Sequence, residues 1–494
     1  MITEQQKKIY DKIKKGEPVK ISFKYISDDI LTLVNSILSR LLSKHDLQYI
    51  IYFLVTILRE LIVNSFKANV KRLFFRKNNL DINNPSQYAK GIVRFKDEVV
   101  GDFEILRDDI LISDNSIIFK TEERENGIFF SIKNSVPILN EELQRINQRV
   151  AVASTGANFN DIYDSLEDET EGAGLGIALI IMFLKNMGID PSKFTIRSNE
   201  TMTVASFDIP YRLKPPEVVT IVKKKILEEI TGLPTFPENI MTLLQLCSNP
   251  DVDMEDVVKK IKVDVALTSD VLKYANSAGF ITTNKTDDIN MAVVKIGLKN
   301  LKYLLLASNA RKIMESRYSK FEEIWEHCNR VAFYSKQIAV DFKLEKLTAD
   351  NAYIAGLLHD LGHVILFAVD INAVKRIAEI VQNRNIVTAT VMEELSIGIS
   401  HADIGRLVSE KWNFPDFLIQ TIGCHHNPLS ISEKHKDICY CVYLANMLAG
   451  IEKKKYYISY IEEMVLERFG ISHESELLHL HEKLKNEYNN QKEP

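Results

Sequence analysis

The apolar residues of this 494-residue chain change their spacing near residue 213, and that change limits the fold more than any other feature. Before it, short alternating apolar and polar stretches are interleaved with 3.6-residue patterns. From Val218 onward the spacing is almost entirely helical. Pro210 and the Pro215-Pro216 pair in PYRLKPPEVV read as a stiff linker at the junction. A single core rarely organises so long a chain. The expected architecture is therefore multidomain: an N-terminal α+β two-layer sandwich over 1–213, a linker at 214–218, an all-α helical domain over 219–436 and a helical extension over 437–494.

In the first part, Lys20–Lys24 alternates like a strand, and Ser27 and Asp28 are placed to cap a helix through Leu42. A second helix is expected over Asp46–Asn69. Strands are expected at Glu98–Arg107, Ser116–Thr121, Gly127–Ser135, Lys193–Ser198 and Thr203–Ile209, with hairpin loops at ERENG and NETM. In the second part, helical spacing recurs in 238–247, 254–262, 265–276, 321–341, 350–369, 372–382, 388–411 and 437–451. The last 15 or so residues, including HEKLKNEYNNQKEP, read as a solvated, fraying helix.

Charge narrows the function classes. The 62 Lys and Arg against 67 Asp and Glu leave a formal net charge of −5, which gives no bulk attraction to nucleic acid or an anionic membrane. The longest uncharged apolar run, Leu47 to Leu58, is shorter than the ~20 residues of a membrane span. The start has no apolar signal segment, and the five cysteines are odd in number, so a reducing, cytoplasmic setting is expected.

Two groups of residues carry chemistry. Glu60, Asn64 and Lys67 stand at i, i+4 and i+7 of the second helix, offering a carboxylate, an amide oxygen for Mg²⁺ and a cation for phosphate on one side. Downstream, Gly172, Gly174 and Gly176 open an apolar helix whose N-terminal N–H groups could cradle a phosphate, after a polar stretch, Ser154–Glu171, placed as a lid. The alternative is a solvated helix face and glycines that serve close packing. These segments resemble the GHKL ATPase fold of histidine kinases over about residues 20–210: RELIVNSFKAN is similar to its N box and GAGLGIALI to its second glycine box. The resemblance implies ATP with Mg²⁺, Glu60 as the catalytic residue, Asn64 on Mg²⁺, and Gly174 and Gly176 at the phosphates. One departure is Asn134, standing in IKNSVPI where that family has an adenine-binding Asp, with both neighbouring glycines missing. A second is the lack of room for a phosphorylated hairpin before Glu60, so a kinase here would act on a partner.

The second group follows from histidine placement. Of 11 His, only His45 precedes His327. His327, the His359-Asp360 pair, His401 and His425-His426 all fall in helical segments, where facing helices can enclose a hard metal. A buried, mutually hydrogen-bonded histidine cluster is the structural alternative. The region 219–430 resembles the HDOD domain, a relative of HD phosphohydrolases, through LPTFPENIMTLLQLCSNPD, AGLLHDLGHVIL, ISHADIGRLVSEKWNFP and IGCHHNP among others. That family is regarded as a non-catalytic signalling output module, some of whose members retain HD-type ligands. By resemblance, His327, His359 and Asp360 match HD metal ligands, with Asn446 where the fourth, an Asp, is expected. His401, His425 and His426 match the further ligands of two-metal HD-GYP phosphodiesterases. His363 stands at those enzymes' Lys, and no GYP follows His426.

Together these imply a bacterial signalling regulator in which a nucleotide-binding unit controls a non-catalytic HDOD output unit that binds a signalling protein partner. A metal-dependent phosphohydrolase holding Fe or Mn, or a partner-directed kinase, are the alternatives. A homodimer is the expected assembly for this type of protein.

Overall fold

The computed structural model describes residues 4–100, 102–154, 174–213, 220–276, 285–318, 321–384, 386, 388–453 and 455–492. The chain divides into two compact units, Met1–Val218 and Val219–Pro494. Gly172, residues 155–171 of the expected lid, and the linker at 214–218 lie outside the described residues.

In the first unit, helices α1 (Glu4–Lys15), α2 (Asp28–Ser43), α3 (Ile51–Lys77), α4 (Pro85–Phe95), α5 (Arg107–Ile112), α6 (Asn140–Ser154) and α7 (Gly174–Asn186) accompany five strands. These are β1 (Val19–Phe23), β2 (Ile117–Arg124), β3 (Gly127–Asn134), β4 (Thr195–Ser198) and β5 (Thr203–Pro210), in one antiparallel sheet of order β1-β2-β3-β5-β4. The two expected hairpin loops close where Arg124 pairs with Gly127 and Ser198 with Thr203. Ile21, Phe119, Ile132 and Ala205 lie side by side across four strands and are all buried, because successive residues of a strand face opposite ways. Helix α3 packs on β2 and β3, and α2 and α7 pack on α3. Ser27 caps α2 as expected, its side chain accepting from the Ile30 N–H.

Two N-terminal expectations are corrected. Helix α3 runs Ile51–Lys77 rather than Asp46–Asn69, because Asp46 takes a left-handed φ of 56° that no helix continues through. The strand expected at Glu98–Arg107 is instead a π-helical turn, Lys96–Val100, and a 3-10 turn, Phe103–Leu106. There Glu98 pairs back to Arg94 on α4 at 3.0 Å, and the Asp102 side chain caps the Glu104 N–H. Both contacts hold the backbone in turns.

The second unit is helical throughout its described residues: α8 (Ile221–Gly232), α9 (Glu238–Leu246), α10 (Met254–Lys262), α11 (Val265–Ala275), α12 (Ile289–Ile296), α13 (Leu298–Arg317), α14 (Phe321–Asp341), α15 (Lys346–Leu358), α16 (Leu361–Val369), α17 (Ile371–Arg384), α18 (Ala389–Ser396), α19 (His401–Lys411), α20 (Asp416–Cys424), α21 (Lys436–Glu452), α22 (Glu463–Arg468) and α23 (Glu474–Lys492). Helix α14 packs against α15 and α21 at the centre, and α16 crosses α19. The periodic run 350–369 is broken at His359-Asp360, and the run 388–411 is broken by a bend containing Gly398 at φ 88°.

The tail is a correction too. Leu477, Leu480, Leu484 and Tyr488 of α23 are buried, and α23 packs on α14, with the Tyr488 ring 5.5 Å from that of Phe333. The helix is a docked element rather than a solvated one. Two stretches, Gln48–Lys77 and Lys346–Val369, are long and apolar enough to cross a membrane, yet 61% and 78% of their most apolar windows are buried within the protein.

Candidate metal centre

Four helix ends and three helix middles converge in the second unit. His359 caps the C-terminus of α15, Asp360 leads into α16, His401 is the first residue of α19, and His425 caps the C-terminus of α20. His327 lies within α14, Asn446 within α21 and Glu393 within α18. The side chains of His359, His401 and His425 are fully buried, and Asp360, Glu393 and His426 are nearly so.

Asp360 is the hub. Its Oδ2 lies 3.7 Å from His327 Nε2 and 3.5 Å from His359 Nε2. Its Oδ1 lies 3.5 Å from His401 Nε2, 3.6 Å from His425 Nε2 and 3.2 Å from His363 Nδ1. One carboxylate thus serves two sets of ligand atoms: His327, His359 and Asp360 in one, and Asp360, His401, His425 and His426 in the other.

The tautomers follow from what the other ring nitrogens meet. His359 Nδ1 is 2.8 Å from the Gly356 carbonyl, and His425 Nδ1 is 2.7 Å from the Ile422 carbonyl. A carbonyl only accepts, so both Nδ1 atoms carry the proton. His401 Nδ1 donates to Glu393 at 2.8 Å. His359 and His401, which burial keeps neutral, therefore present an Nε2 lone pair toward a carboxylate that also only accepts, and His425 turns its Nε2 to the same carboxylate. His401 Nε2 and His425 Nε2 stand 3.4 Å apart, and His359 Nε2 is buried with no hydrogen-bond partner. Acceptors facing acceptors in a buried space are costly unless a cation sits among them. This donor set, imidazole nitrogens with one carboxylate, fits a divalent transition metal.

Electrostatics agree. Burial pushes His359 down to about 3 and His327 to about 4, against the pull of the Asp360 charge. Burial also depresses His401 and His426, so these imidazoles stay neutral, as ligands must. Burial alone would raise Asp360, but the His363 cation and its hydrogen bond outweigh it and hold the carboxyl well below the usual range. For His363, burial is outweighed by Asp360 and Glu393, which lift it to about 9. His363 is thus a cation between two carboxylates, with its ring stacked on His401 at 3.7 Å and 7°.

His327 Nε2 is 3.0 Å from Asn446 Oδ1, so the residue standing at the expected Asp does face the cluster, as a neutral amide; that oxygen only accepts, so His327 Nε2 is the donor here and would have to give up this bond to bind metal. Sequence reasoning missed Glu393. It lies eight residues before His401, and the available signal was a glutamate inside the apolar run TVMEELSIGI. His363 was noted only as a departure from Lys.

The other expected site residues lie in the first unit. Asn64 Nδ2 donates to Glu60 Oε1 at 3.2 Å, and a Cβ on Gly176 would stand 1.7 Å from that oxygen. The structure therefore brings Glu60, Asn64 and Gly176 together, with Lys67 further along α3 and Gly174 opening α7. Asn134 ends β3, buried, with its Nδ2 directed to Asn69 Oδ1 at 3.4 Å.

A helical unit with a His-Asp dyad at a helix break and further histidines closing round it defines an HD-type domain. The HDOD domain family matches residues 233–428, and this part of the chain is an HDOD domain. An uncharacterised protein of Treponema pallidum (strain Nichols) is 28% identical over 428 residues, covering 86% of this chain and 82% of that protein. Among solved structures, an HDOD domain protein of unknown function from Geobacter sulfurreducens is 22% identical, covering 54% of this chain and 97% of that one, at a TM-score of 0.41. A candidate phosphohydrolase from Shewanella amazonensis SB2B is 25% identical, with coverage of 54% and 97% and the same TM-score of 0.41.

Proposed function

We propose that this chain is a cytoplasmic signal-transduction protein whose HDOD unit holds divalent metal, Fe or Mn, and hydrolyses a phosphoester by HD-type chemistry. The observation that carries the reading is the pair of Nε2 atoms of His359 and His401, turned toward Asp360 while their Nδ1 protons are held by the Gly356 carbonyl and Glu393. His327, His359 and Asp360 would hold one ion, and Asp360, His401, His425 and His426 a second. Bound metal supplies Lewis-acid polarisation of a phosphoryl oxygen and a water made acidic enough to attack at neutral pH. The chain's own part is to keep the imidazoles neutral and the Asp360 carboxylate charged. His363 keeps a proton on the partly exposed side of the cluster, its side chain 21% accessible. The test is metal content after Mn or Fe loading, followed by hydrolysis of bis(p-nitrophenyl) phosphate by the wild type, His359→Ala and Asp360→Ala. Metal uptake with turnover lost in both variants supports the reading. Uptake without turnover reduces the unit to a metal-held output module, and absence of uptake overturns it.

A second reading concerns the first unit: that it binds Mg–ATP through Glu60, Asn64, Lys67, Asn134, Gly172, Gly174 and Gly176, and so controls binding of a signalling partner by the second. It is supported by the approach of Gly176 to the Glu60–Asn64 pair, where a helix N-terminus meets a carboxylate and an amide. Calorimetric titration of Mg–ATP into the full chain tests it. Saturable binding lost in Asn64→Ala supports the reading, and absence of binding overturns it.

A further inference from the structure

The three buried imidazoles that turn Nε2 inward do not reach that state in the same way. His359 and His425 each cap the C-terminus of a helix, and each donates its Nδ1 proton to the carbonyl three residues back, Gly356 and Ile422. A helix C-terminus leaves such carbonyls without intrahelical partners, so the tautomer is written into the local backbone. His401 sits at the opposite kind of end. It opens α19, where the unpaired backbone groups are N–H donors and no local carbonyl is on offer. Its acceptor comes from another helix: Glu393 on α18 takes the His401 Nδ1 proton at 2.8 and 3.0 Å and the His401 backbone N–H at 2.8 Å.

We propose that Glu393 is a positioning residue for the metal ligand His401, fixing its ring as the Nδ1–H tautomer with Nε2 toward Asp360, and fixing His363 over the same ring. The inference rests on the divalent-metal reading of the cluster. Glu393 is 2% exposed, and burying a carboxylate is costly unless every oxygen is used. Here Oε2 accepts two N–H groups of His401, and Oε1 faces the His363 Nε2 at 3.6 Å. The charge also makes the His401 imidazole a stronger donor through Nε2 than a carbonyl partner would. His363, held between Glu393 and Asp360, lies flat on His401 and blocks its rotation. Glu393 and its two histidines could instead be read as a ligand set of their own. The 2.8 Å contact argues against that, since it places a proton, not a lone pair, on the His401 nitrogen facing Glu393.

The test uses the full chain loaded with Co²⁺, comparing wild type with Glu393→Gln. Four quantities are read: stoichiometry, affinity by competition with a chromophoric chelator, the visible Co²⁺ absorption, and the melting temperature without metal. Gln keeps one oxygen for the His401 Nδ1 proton but turns an N–H₂ toward donors. The expected result is unchanged stoichiometry, a Co²⁺ affinity lowered about 10–100-fold and an altered Co²⁺ band. The same affinity and band as wild type make Glu393 a core residue and overturn the proposal. Loss of one Co²⁺ equivalent makes it a ligand and also overturns it. Should Glu393→Gln fail to fold, the long-range ¹H–¹⁵N spectrum of metal-free wild type decides: the His401 signal, assigned by its loss in His401→Gln, is expected as the Nδ1–H tautomer, and Nε2–H overturns the proposal. If wild type takes up no Co²⁺, the metal reading fails with it. Uptake by wild type with an indifferent Glu393→Gln sinks this inference alone.

Discussion

Replacing Asn446 with Asp tests the electrostatics of the cluster where the chain departs from the four-ligand HD pattern. Asn446 Oδ1 is 3.0 Å from His327 Nε2, and Asp360 Oδ2 is 3.7 Å from the same nitrogen, so the new carboxylate would lie no more than about 6.7 Å from that of Asp360. Two like charges at that separation repel by about 2.5 kcal/mol at an effective dielectric near 20. The metal-free variant should lose stability of that order. A divalent ion between the two carboxylates relieves the repulsion, and by linkage the relief appears as tighter binding, roughly 60-fold in affinity. The assay is chelator competition with Mn²⁺ at pH 8, with melting temperatures recorded with and without metal. The high pH is chosen because the new carboxylate, 3.0 Å from His327 Nε2, draws that imidazole upward, and a proton taken up there would cancel part of the new charge. Opposite shifts are expected: lower melting without metal and a larger rise on adding it. If affinity stays within twofold and metal-free stability is unchanged, Asn446 does not share a site with Asp360 and the metal assignment is wrong.

Three further outcomes follow from packing and charge. Gly362→Ala would put a Cβ 1.9 Å from the His401 carbonyl and 2.5 Å from the Gly405 nitrogen, so it should cost about 3 kcal/mol or more in urea unfolding and abolish metal uptake. Leu484→Ala empties a fully buried position on α23 and should cost about 2–5 kcal/mol in the same assay; a loss below 1 kcal/mol would mean the tail is not docked in solution. Glu142 on α6 pairs with Lys71 and Arg72 of α3; burial opposes ionisation, but those charges hold its carboxyl down to about 2. Because the folded value lies below the unfolded 4.5, its contribution is present above pH 4.5 and is lost as pH falls toward 2. At most about 3 kcal/mol is at stake, and Glu142→Gln should flatten the pH dependence of unfolding between pH 5 and 2, a slope unchanged by the substitution counting against the pair.

What the sequence made legible was whatever depends on short-range pattern. The β2–β3 and β4–β5 hairpins were visible because their loops carry turn residues between β-branched and aromatic runs. The cluster was visible because six of its histidines and Asp360 stand in recognisable segments. Glu393 was not. Its role depends on the bend through Gly398, at φ 88°, that folds α18 back on the start of α19, and no periodicity registers a contact made by reversing the chain. The helix break at His359-Asp360 was hidden because apolar spacing continues across it. The tail was misread for a different reason: its charged residues masked Leu477, Leu480, Leu484 and Tyr488, whose spacings of three, four and four form one apolar stripe.

The crossing of α16 and α19 explains how the ligands reach one another. The Gly362 backbone lies so near the His401 carbonyl and the Gly405 nitrogen that any side chain there would overlap backbone, and a Cβ on Gly405 would meet Ile422 at 2.7 Å. Two glycines facing each other let the helices touch main chain to main chain. That contact, two residues after Asp360 and at the first residue of α19, sets the 3.5 Å separation of Asp360 Oδ1 from His401 Nε2. Ile422 belongs to the same contact through Gly405 and also supplies the carbonyl that orients His425. The geometry of the second ligand set is therefore a property of the backbone crossing, with side-chain rotamers filling in what it allows. The first set has such a lock on one side only: a Cβ on Gly356, whose carbonyl orients His359, would stand 2.7 Å from the Ala332 backbone of α14, whereas His327 and Asn446 come from the middles of α14 and α21, whose approach is set by side-chain packing. Substitutions that loosen the α14–α21 contact should thus weaken the first set well before they disturb the second.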